Sequence, residues 1–504
     1  MIFAEEEMDG LDPLSITPEE HQLREDLLTG VIDDRTPDLE SSVSSLSSVG
    51  KGNVSVDDPQ DLARVAQCYA EIVARLPEHS PNPSLDKVTQ VLELMGNPQD
   101  SLSYIHVGGT NGKTSTTRMI DSLLSAAGLR VGRFTSPHLV DVRERISIGG
   151  KPISASAFLQ AYEDVSPFVQ MVDEACHREG RAGLSFFEFF TVMAFAAFAA
   201  APVDVAVMEV GMGGRWDATN VIDAQVSVIT PISLDHQRWL GSTCEEIAKE
   251  KSGIIKPGAT VVLAPQLPEV EAVMFQAAKA SDAIVRLSGR DFSLVDYRLA
   301  VGGQSVTIQS PAALYEEIPL PLFGKHQAQN AALALSAVEA FLGGKALSGE
   351  LVEGGFLRAT SPGRLEVIKG SPTIIADAAH NPAGMESLVA ALEENFGFTR
   401  VYGVFSAMAD KAVEEMLGIL EPAFEEIVVV QMPGERAMSI EELASLADDV
   451  FGADRVHKAD TLEEALEKAV ELSQDGGDSL DANGTVVCGS ISLVGSARAL
   501  CKLS

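Results

Sequence analysis

Cysteine is scarce in this chain, and no two cysteines form a CxxC pair. The five (Cys68, Cys176, Cys244, Cys488 and Cys501) are scattered, which argues against a disulfide framework and for reduced thiols. Positive charge is also short: 37 Lys/Arg stand against 73 Asp/Glu, a formal charge of −36. Nucleic acid and anionic membranes each need a basic face, so neither is expected as a partner. The most apolar stretch, Phe189 to Val203, is bounded by Glu188 and Asp204. It is shorter than the roughly 20 residues of a membrane span and reads as a buried helix. The N-terminus lacks the basic-then-apolar pattern of a secretion signal, so a cytoplasmic location is expected. An anionic substrate would need local cations, from Lys/Arg or from a metal.

What the chain does contain is a long alternation of strands and helices. Residues 1–58 stand apart, with 15 Asp/Glu against 3 Lys/Arg and the run "SSVSSLSSVG". Such a segment buries little apolar area against its chain entropy and reads as a disordered tail in which "QLREDLL" could form a transient helix. From about Asp61 the pattern becomes globular. "SYIHV", "RVGRFTS", "VDVAVMEV", "AQVSVITPI" and "TVVLAPQ" read as strands, with helices such as "TSTTRMIDSLLSAAG", "SFFEFFTVMAFAAFAA" and "TCEEIAKEKSGII" among them. A second run begins near Phe356, with strands "PTIIADA", "RVYGVFS", "EEIVVVQMP", "DRVHKA" and "GTVVCGS". It has a Rossmann-like alternation but no GxGxxG after its first strand, which leaves dinucleotide binding without support. Two α/β domains, 59–355 and 356–504, are expected to lie in series with a ligand between them.

The stretch "YIHVGGTNGKTSTTRMI" places a glycine loop between a strand and a helix. The usual phosphate loop has four residues between its first glycine and Gly-Lys; here Val107 occupies the first glycine's place and Gly108 comes one residue late. The backbone N–H groups of Thr110 to Thr114 would still converge at a helix N-terminus, where partial positive charge favours phosphate. Lys113 adds a full charge, and Thr114 or Ser115 offers a hydroxyl to phosphate or metal. A plain glycine turn with a surface lysine is the alternative, but the strand, loop, Lys-Thr-Ser and amphipathic helix follow one another in the order phosphate binding needs.

Two further strands end on the same edge. Glu209 closes one, and a carboxylate there suits Mg²⁺, which keeps waters and phosphate oxygens among its ligands. His236 follows the next strand, behind Asp235; alone it would read as a turn or core histidine. The turn "GMGGRWDATN" allows close backbone approach, with Arg215 and Asp217 as polar contacts. "FTSPHLVDVRERISI" brings Arg143 and Arg145 near a strand end, and on its own reads as a turn before a charged strand.

Taken in order, "HVGGTNGKTS", "TSPHL", "EVGMGGRWDATN", "SLDHQRWLG", "EKSGIIKPG", "GKHQAQNAALAL", "SPGRLEV" and "DAAHNP" closely resemble the folylpolyglutamate synthase/dihydrofolate synthase family, Mur-ligase-type ATP-dependent amide ligases. The resemblance runs from about Ser84 to the C-terminus, and that family's phosphate loop is the short G-T-N-G-K form. It implies an N-terminal P-loop domain and a C-terminal Rossmann-like domain, both Mur-ligase-type. Thr110, Asn111, Gly112, Lys113, Thr114 and Ser115 would hold the phosphates of ATP. Asn330, Arg364, Asp377 and His380 would contact ATP across the cleft. Ser136, Glu209 and His236 would hold Mg²⁺, joined by Lys251 if carbamylated into a carboxylate-like ligand. Phe187, Glu188, Phe189, Arg215 and Asp217 match the pterin and substrate region. Lys113, His236, Lys251 and His380 are the implied catalytic group.

The resemblance further implies a monomer that phosphorylates a carboxylate of dihydropteroate or a reduced folate with ATP and then joins it to L-glutamate. A peptidoglycan Mur ligase shares the core and chemistry, but it carries a further N-terminal domain that residues 1–58 are too polar and short to form. A regulatory nucleotide switch would be expected to show an N-K-x-D guanine motif, absent here. A catalytically dead scaffold is disfavoured by retention of every candidate ligand.

Overall fold

The structure, a computed structural model, describes residues 57–76, 84–434, 436–475 and 482–503. Most of the expected tail, including the serine run and "QLREDLL", lies outside them. Its last two residues belong to the folded body: Asp58 caps the Pro59–Val73 helix by accepting from Gln60 N at 2.8 Å. Asp57 pairs with Arg143 and accepts from Ala155 N at 2.9 Å.

The first domain is built on eight strands: β1 (Ser103–Gly108), β2 (Val131–Phe134), β3 (Ile146–Ile148), β4 (Lys151–Pro152), β5 (Val205–Glu209), β6 (Val226–Ile229), β7 (Thr260–Leu263) and β8 (Ile284–Leu287). Their order is β4-β3-β2-β5-β1-β6-β7-β8, parallel except for antiparallel β3 and β4 at one edge. The central strands are buried on both faces, which is why they read as mostly apolar runs, broken only by buried groups such as His106 and Ser227. β1 lies between β5 and β6, with Val107 opposite Glu209 and Gly108 opposite Ile229. The ends of these three strands therefore meet at one point, where doubly wound sheets open a crevice.

On one side, a helical layer holds Pro59–Val73, Asp86–Leu94, Ala155–Arg178 and Phe186–Ala200 around a phenylalanine-rich core. The Phe186–Ala200 helix is buried along most of its length, as its composition suggested. Among the described residues, no helix is long and apolar enough to cross a membrane. A buried ion pair fastens this layer: Lys87 Nζ lies 2.8 Å from Glu188 Oε2 and donates to Gly183 O at 2.9 Å. Lys87→Met is expected to strand the Glu188 carboxylate and lower stability by about 3–5 kcal/mol, read as a reduced urea midpoint. An unchanged midpoint would show that the pair is not a fastening.

On the other side, the Lys325–Phe341 helix packs along the Lys113–Ala126 helix. Ala328, Ala331, Ala334 and Ala337 of this helix are all buried in the core, and their small side chains let its neighbours approach closely. An antiparallel sheet of β9 (Ser293–Ala300), β10 (Gly303–Gln309) and β11 (Leu314–Leu320) covers the same core.

The second domain holds β12 (Glu366–Gly370), β13 (Thr373–Ala376), β14 (Arg400–Phe405), β15 (Glu426–Val430), β16 (Val456–Ala459) and β17 (Asn483–Cys488). Their order is β12-β13-β17-β14-β15-β16, parallel except for β12. The boundary expected between 355 and 356 falls inside the Gly349–Leu357 helix. That helix packs on Lys113–Ala126: Ser122 Oγ donates to Gly355 O at 2.6 Å, and Phe356 shares the core of Ile105 and Val107.

Candidate active site

The phosphate loop is shaped by two glycines at positive φ, Gly109 (+132°) and Gly112 (+86°). A Cβ on Gly109 would stand 1.9 Å from Thr230 Oγ1, and one on Gly112 2.8 Å from Asn330 Oδ1. No side chain fits either place, so the loop lies flat against the end of β6 and the Lys325–Phe341 helix. Thr110 N and Asn111 N both donate to Pro231 O, at 3.0 and 3.4 Å, which fixes the loop's entry. Lys113 Nζ donates to Thr110 O at 3.0 Å, so the ammonium is folded back over its own loop. Ser115 Oγ is engaged by Ser361 at 2.8 Å and Gln327 at 3.3 Å, which ties the helix start to the interdomain segment.

Glu209 forms the wall beside this loop. Its carboxylate accepts from Thr114 Oγ1 at 2.8 Å and from Ser136 N at 3.4 Å. Burial pushes its pKa up to about 7, opposed chiefly by Lys113 and then by the Thr114 hydroxyl. Burial in turn lowers the Lys113 amine, against the pull of Glu209 and Asp235. Lys251 is buried and donates to Gly109 O at 2.7 Å; burial, and then Lys113, bring its amine down to about 7. Half of such amines are uncharged near neutrality, the form that reacts with carbon dioxide to give a carbamate.

The oxygens here fit Mg²⁺: a carboxylate with little solvent, flanked by the Thr114 hydroxyl and by Ser136, needs a cation to offset its burial. Among the described residues no three His/Cys/Asp/Glu groups lie in metal-holding geometry. A cation on Glu209 would therefore complete its shell from hydroxyls, water, phosphate oxygens or a carbamate.

Across the crevice the second domain contributes Lys411 and Asn381, which sequence reading did not single out, to a network around Asp235. Lys411 Nζ lies 2.6 Å from Asp235 Oδ1, each side chain 9% exposed. Asn381 and Asn111 exchange side-chain hydrogen bonds at 3.0 and 3.1 Å, and Asn381 also donates to Asp235 at 3.2 Å. His236 and His380 flank the same carboxylate at 3.9 and 3.8 Å. Burial lowers both imidazoles to about 4, with Asp235 opposing, so each is neutral at physiological pH. Burial alone would raise the Asp235 carboxyl, but His236, Lys411 and His380 together hold it well below the usual range. Nothing in "SAMADKAV" marked Lys411 beforehand, because its partner is 176 residues away.

These groups surround one cavity of about 710 Å³. It is lined by Thr110 to Ser115, Ser136, Glu209, His236, Lys251 and Asn330, and from the second domain by Arg364, Asp377 and His380. Asp377 is fixed by the backbone, accepting from Leu365 N and Ala379 N at 2.8 Å each. Phe187, Glu188, Met212, Trp216 and Asp217 line it as well. Gly211 lets the Phe187 ring lie against the turn after β5, since a Cβ there would come within 2.5 Å of it.

Two expected substrate contacts are placed elsewhere. Phe189 is buried in the helical core, against Tyr162 (5.6 Å between centroids) and under Arg75 (4.7 Å). Positions 187 and 189 point about 200° apart on a helix, so only Phe187 reaches the cavity. Arg215 is exposed, 3.9 Å from Glu250, while its neighbours Trp216 and Asp217 turn inward.

Comparison with known proteins fits this arrangement. Residues 171–338 match the Mur ligase middle domain and residues 363–490 the Mur ligase glutamate ligase domain. The two-domain fold and its crevice thus define an ATP-dependent ligase of the Mur class. The dihydrofolate synthase/folylpolyglutamate synthase of Mycobacterium tuberculosis is 44% identical over 481 residues, 92% of this chain and 99% of that protein. The Bacillus subtilis enzyme of the same name is 35% identical over 74% of this chain and 85% of its own length. The structure of M. tuberculosis folylpolyglutamate synthase complexed with ADP and AMPPCP aligns with a TM-score of 0.83, covering 88% of this chain and 99% of that one. This chain belongs to the folylpolyglutamate synthase/dihydrofolate synthase family.

Proposed function

We propose that the chain is bifunctional, ligating L-glutamate both to dihydropteroate and to reduced folates with ATP, as a cytoplasmic monomer. One observation carries the reading: the short phosphate loop, the Glu209 carboxylate and the Asp377–His380 segment open on a single cavity whose other part is walled by Phe187, Met212 and Trp216. A triphosphate suits the cationic part and a flat heteroaromatic ring the apolar part.

The γ-phosphoryl group of ATP passes to a carboxylate oxygen of the folate substrate, and ADP leaves. The amine of glutamate then attacks the acyl carbon, the acyl–phosphate C–O bond breaks, and phosphate and a proton depart. Little covalent chemistry falls to the protein, so its work is positioning and charge compensation. Lys113 and the N–H groups of the loop offset phosphate charge as a second anion approaches. Thr110, Asn111, Thr114 and Ser115 position the phosphates, and Asn330, Arg364, Asp377 and His380 hold the nucleotide from across the cleft. Ser136, Glu209 and His236, with carbamylated Lys251, would hold Mg²⁺, which when bound neutralises phosphate oxygens. Neutral His380 can contact phosphate or take a proton. An acyl phosphate hydrolyses readily, and the two domains shield the cavity from water.

The direct test offers dihydropteroate and tetrahydrofolate separately to the purified protein with ATP, Mg²⁺ and L-glutamate. Both products are expected to gain the mass of a glutamyl residue; product from neither substrate would sink the reading, and product from one alone would sink bifunctionality. For Lys251, wild-type protein is expected to carry a carbon dioxide adduct by native mass measurement. Lys251→Ala should lose about 100-fold in ligation and regain part of it with added acetate. An unmodified lysine together with no rescue would remove it from the metal site.

A further inference from the structure

His106 stands in β1, two residues before the glycines of the phosphate loop, yet it does not touch the cavity. Its side chain is fully buried, and its Nε2 lies 2.8 Å from Thr219 Oγ1. Thr219 in turn bonds Asp217 through both its hydroxyl and its backbone N–H (3.0 Å). The other Asp217 oxygen accepts from Met212 N at 2.9 Å. Asp217 is the carboxylate on the cavity wall beside Trp216 and Ala218.

The hydrogens can be assigned by counting. A threonine hydroxyl has one hydrogen, and an ionised carboxylate can only accept. The hydrogen of Thr219 therefore goes to Asp217, and the contact with His106 requires that Nε2 carry the imidazole proton. Nδ1 is then a bare lone pair, and among the described residues it has no partner. Leaving a buried polar atom unsatisfied costs about 1–3 kcal/mol. Ile105 and Val107, its neighbours on the strand, fill their places in the core without that cost. Burial also depresses the imidazole to about 3, so it stays neutral and its tautomer is fixed by this one contact.

We infer that His106 is a positioning residue for the folate substrate: through the hydroxyl of Thr219 it fixes the rotamer of Asp217, whose carboxylate receives N–H groups of the pterin ring. The chain His106–Thr219–Asp217 links the strand that carries the phosphate loop to the wall that receives the ring, so one strand sets both ends of the cavity. This assignment rests on the proposed function and on Asp217 being the contact of the pterin and substrate region that the family resemblance implies.

Steady-state kinetics of the full-length protein, with folate, ATP and glutamate varied in turn, test it. His106→Leu is expected to raise KM for the folate substrate about tenfold while KM for ATP stays within about twofold. His106→Gln, whose amide carries a donor at the position of Nε2, should return KM to within about threefold of wild type. Asp217→Asn should be impaired at least as much, and His106→Leu/Asp217→Asn no worse than Asp217→Asn alone. A parallel rise in KM for ATP, failure of a folded glutamine variant to restore, or additive effects in the double variant would overturn the role of His106. If Asp217→Asn leaves KM for folate unchanged, the substrate contact itself fails, and the inference falls with it. Should His106→Leu not fold, the tautomer decides. In ¹⁵N-histidine-labelled wild type, assigned by the signal lost in His106→Gln, the proton is expected on Nε2. A proton on Nδ1 would overturn the inference.

Discussion

Lys113→Ala is expected to slow glutamate ligation by about 10³-fold without unfolding the protein. The ammonium is the one cation that the phosphate loop itself contributes to the cavity, and in this structure it rests against Thr110 O at 3.0 Å, ready to exchange that carbonyl for a phosphate oxygen. Its removal should leave the loop standing, because the loop is fixed by Gly109, Gly112 and the bonds to Pro231 O. A second effect follows from Glu209. Lys113 is the strongest influence holding that carboxyl down against burial, so the variant's carboxyl should titrate above about 7. At neutral pH it would then be mostly protonated and poor at holding a cation. Magnesium–ATP binding by calorimetry should weaken at pH 7 and recover by about pH 9, whereas ligation should recover at neither. Near-normal ligation by a folded variant would sink the role of Lys113; a pH-independent binding loss would sink the coupling to Glu209.

The parts of this site that were legible in the sequence lie within single segments. The loop's shortened spacing and the strand ending at Glu209 could each be read from local pattern, because a fully buried parallel strand writes itself as an apolar run and its end marks a sheet edge. His236 alone reads as a turn or core histidine and gains weight only from the edge it shares with them. Relations between segments were not written locally. Asp235 finds Lys411 across 176 residues, and Asn111 finds Asn381 across 270. The β9–β11 sheet was also missed. Val306 and Ile308 of β10 do alternate with polar residues, but much of β9 and β11 is exposed and register shifts interrupt the pairing on both sides of β10, so no sustained apolar pattern marks the sheet. The misplacement of Phe189 has a simpler cause. The resemblance assigns Phe187, Glu188 and Phe189 together to the substrate region, whereas a helix sends residues two apart to opposite faces, here one to the cavity and one to the core.

Lys411→Met is expected to lower the ligation rate about 100-fold and to raise the phosphate released per product formed. The ion pair with Asp235 joins the two domains and is largely buried, so removing the cation strands a carboxylate at the interface at a cost of about 3–5 kcal/mol. The docked arrangement avoids that cost by opening, which admits water to the acyl phosphate. Asn381 would still donate to Asp235, and Leu139 would still lie over Gly495, where a Cβ would meet Leu139 O at 2.0 Å, so docking should weaken rather than vanish. Small-angle scattering with a non-hydrolysable ATP analogue should show a larger radius of gyration than wild type. The double variant Lys411→Met/Asp235→Asn separates two explanations. With no stranded charge left, it should dock as wild type does and recover coupling of phosphate release to product, if Lys411 acts by holding the domains together. If Lys411 instead touches the reacting groups, the double variant will dock and remain slow. An unchanged radius and unchanged phosphate ratio in Lys411→Met would rule out the latch altogether, because a charge stranded in the closed crevice cannot leave the docking equilibrium where it was.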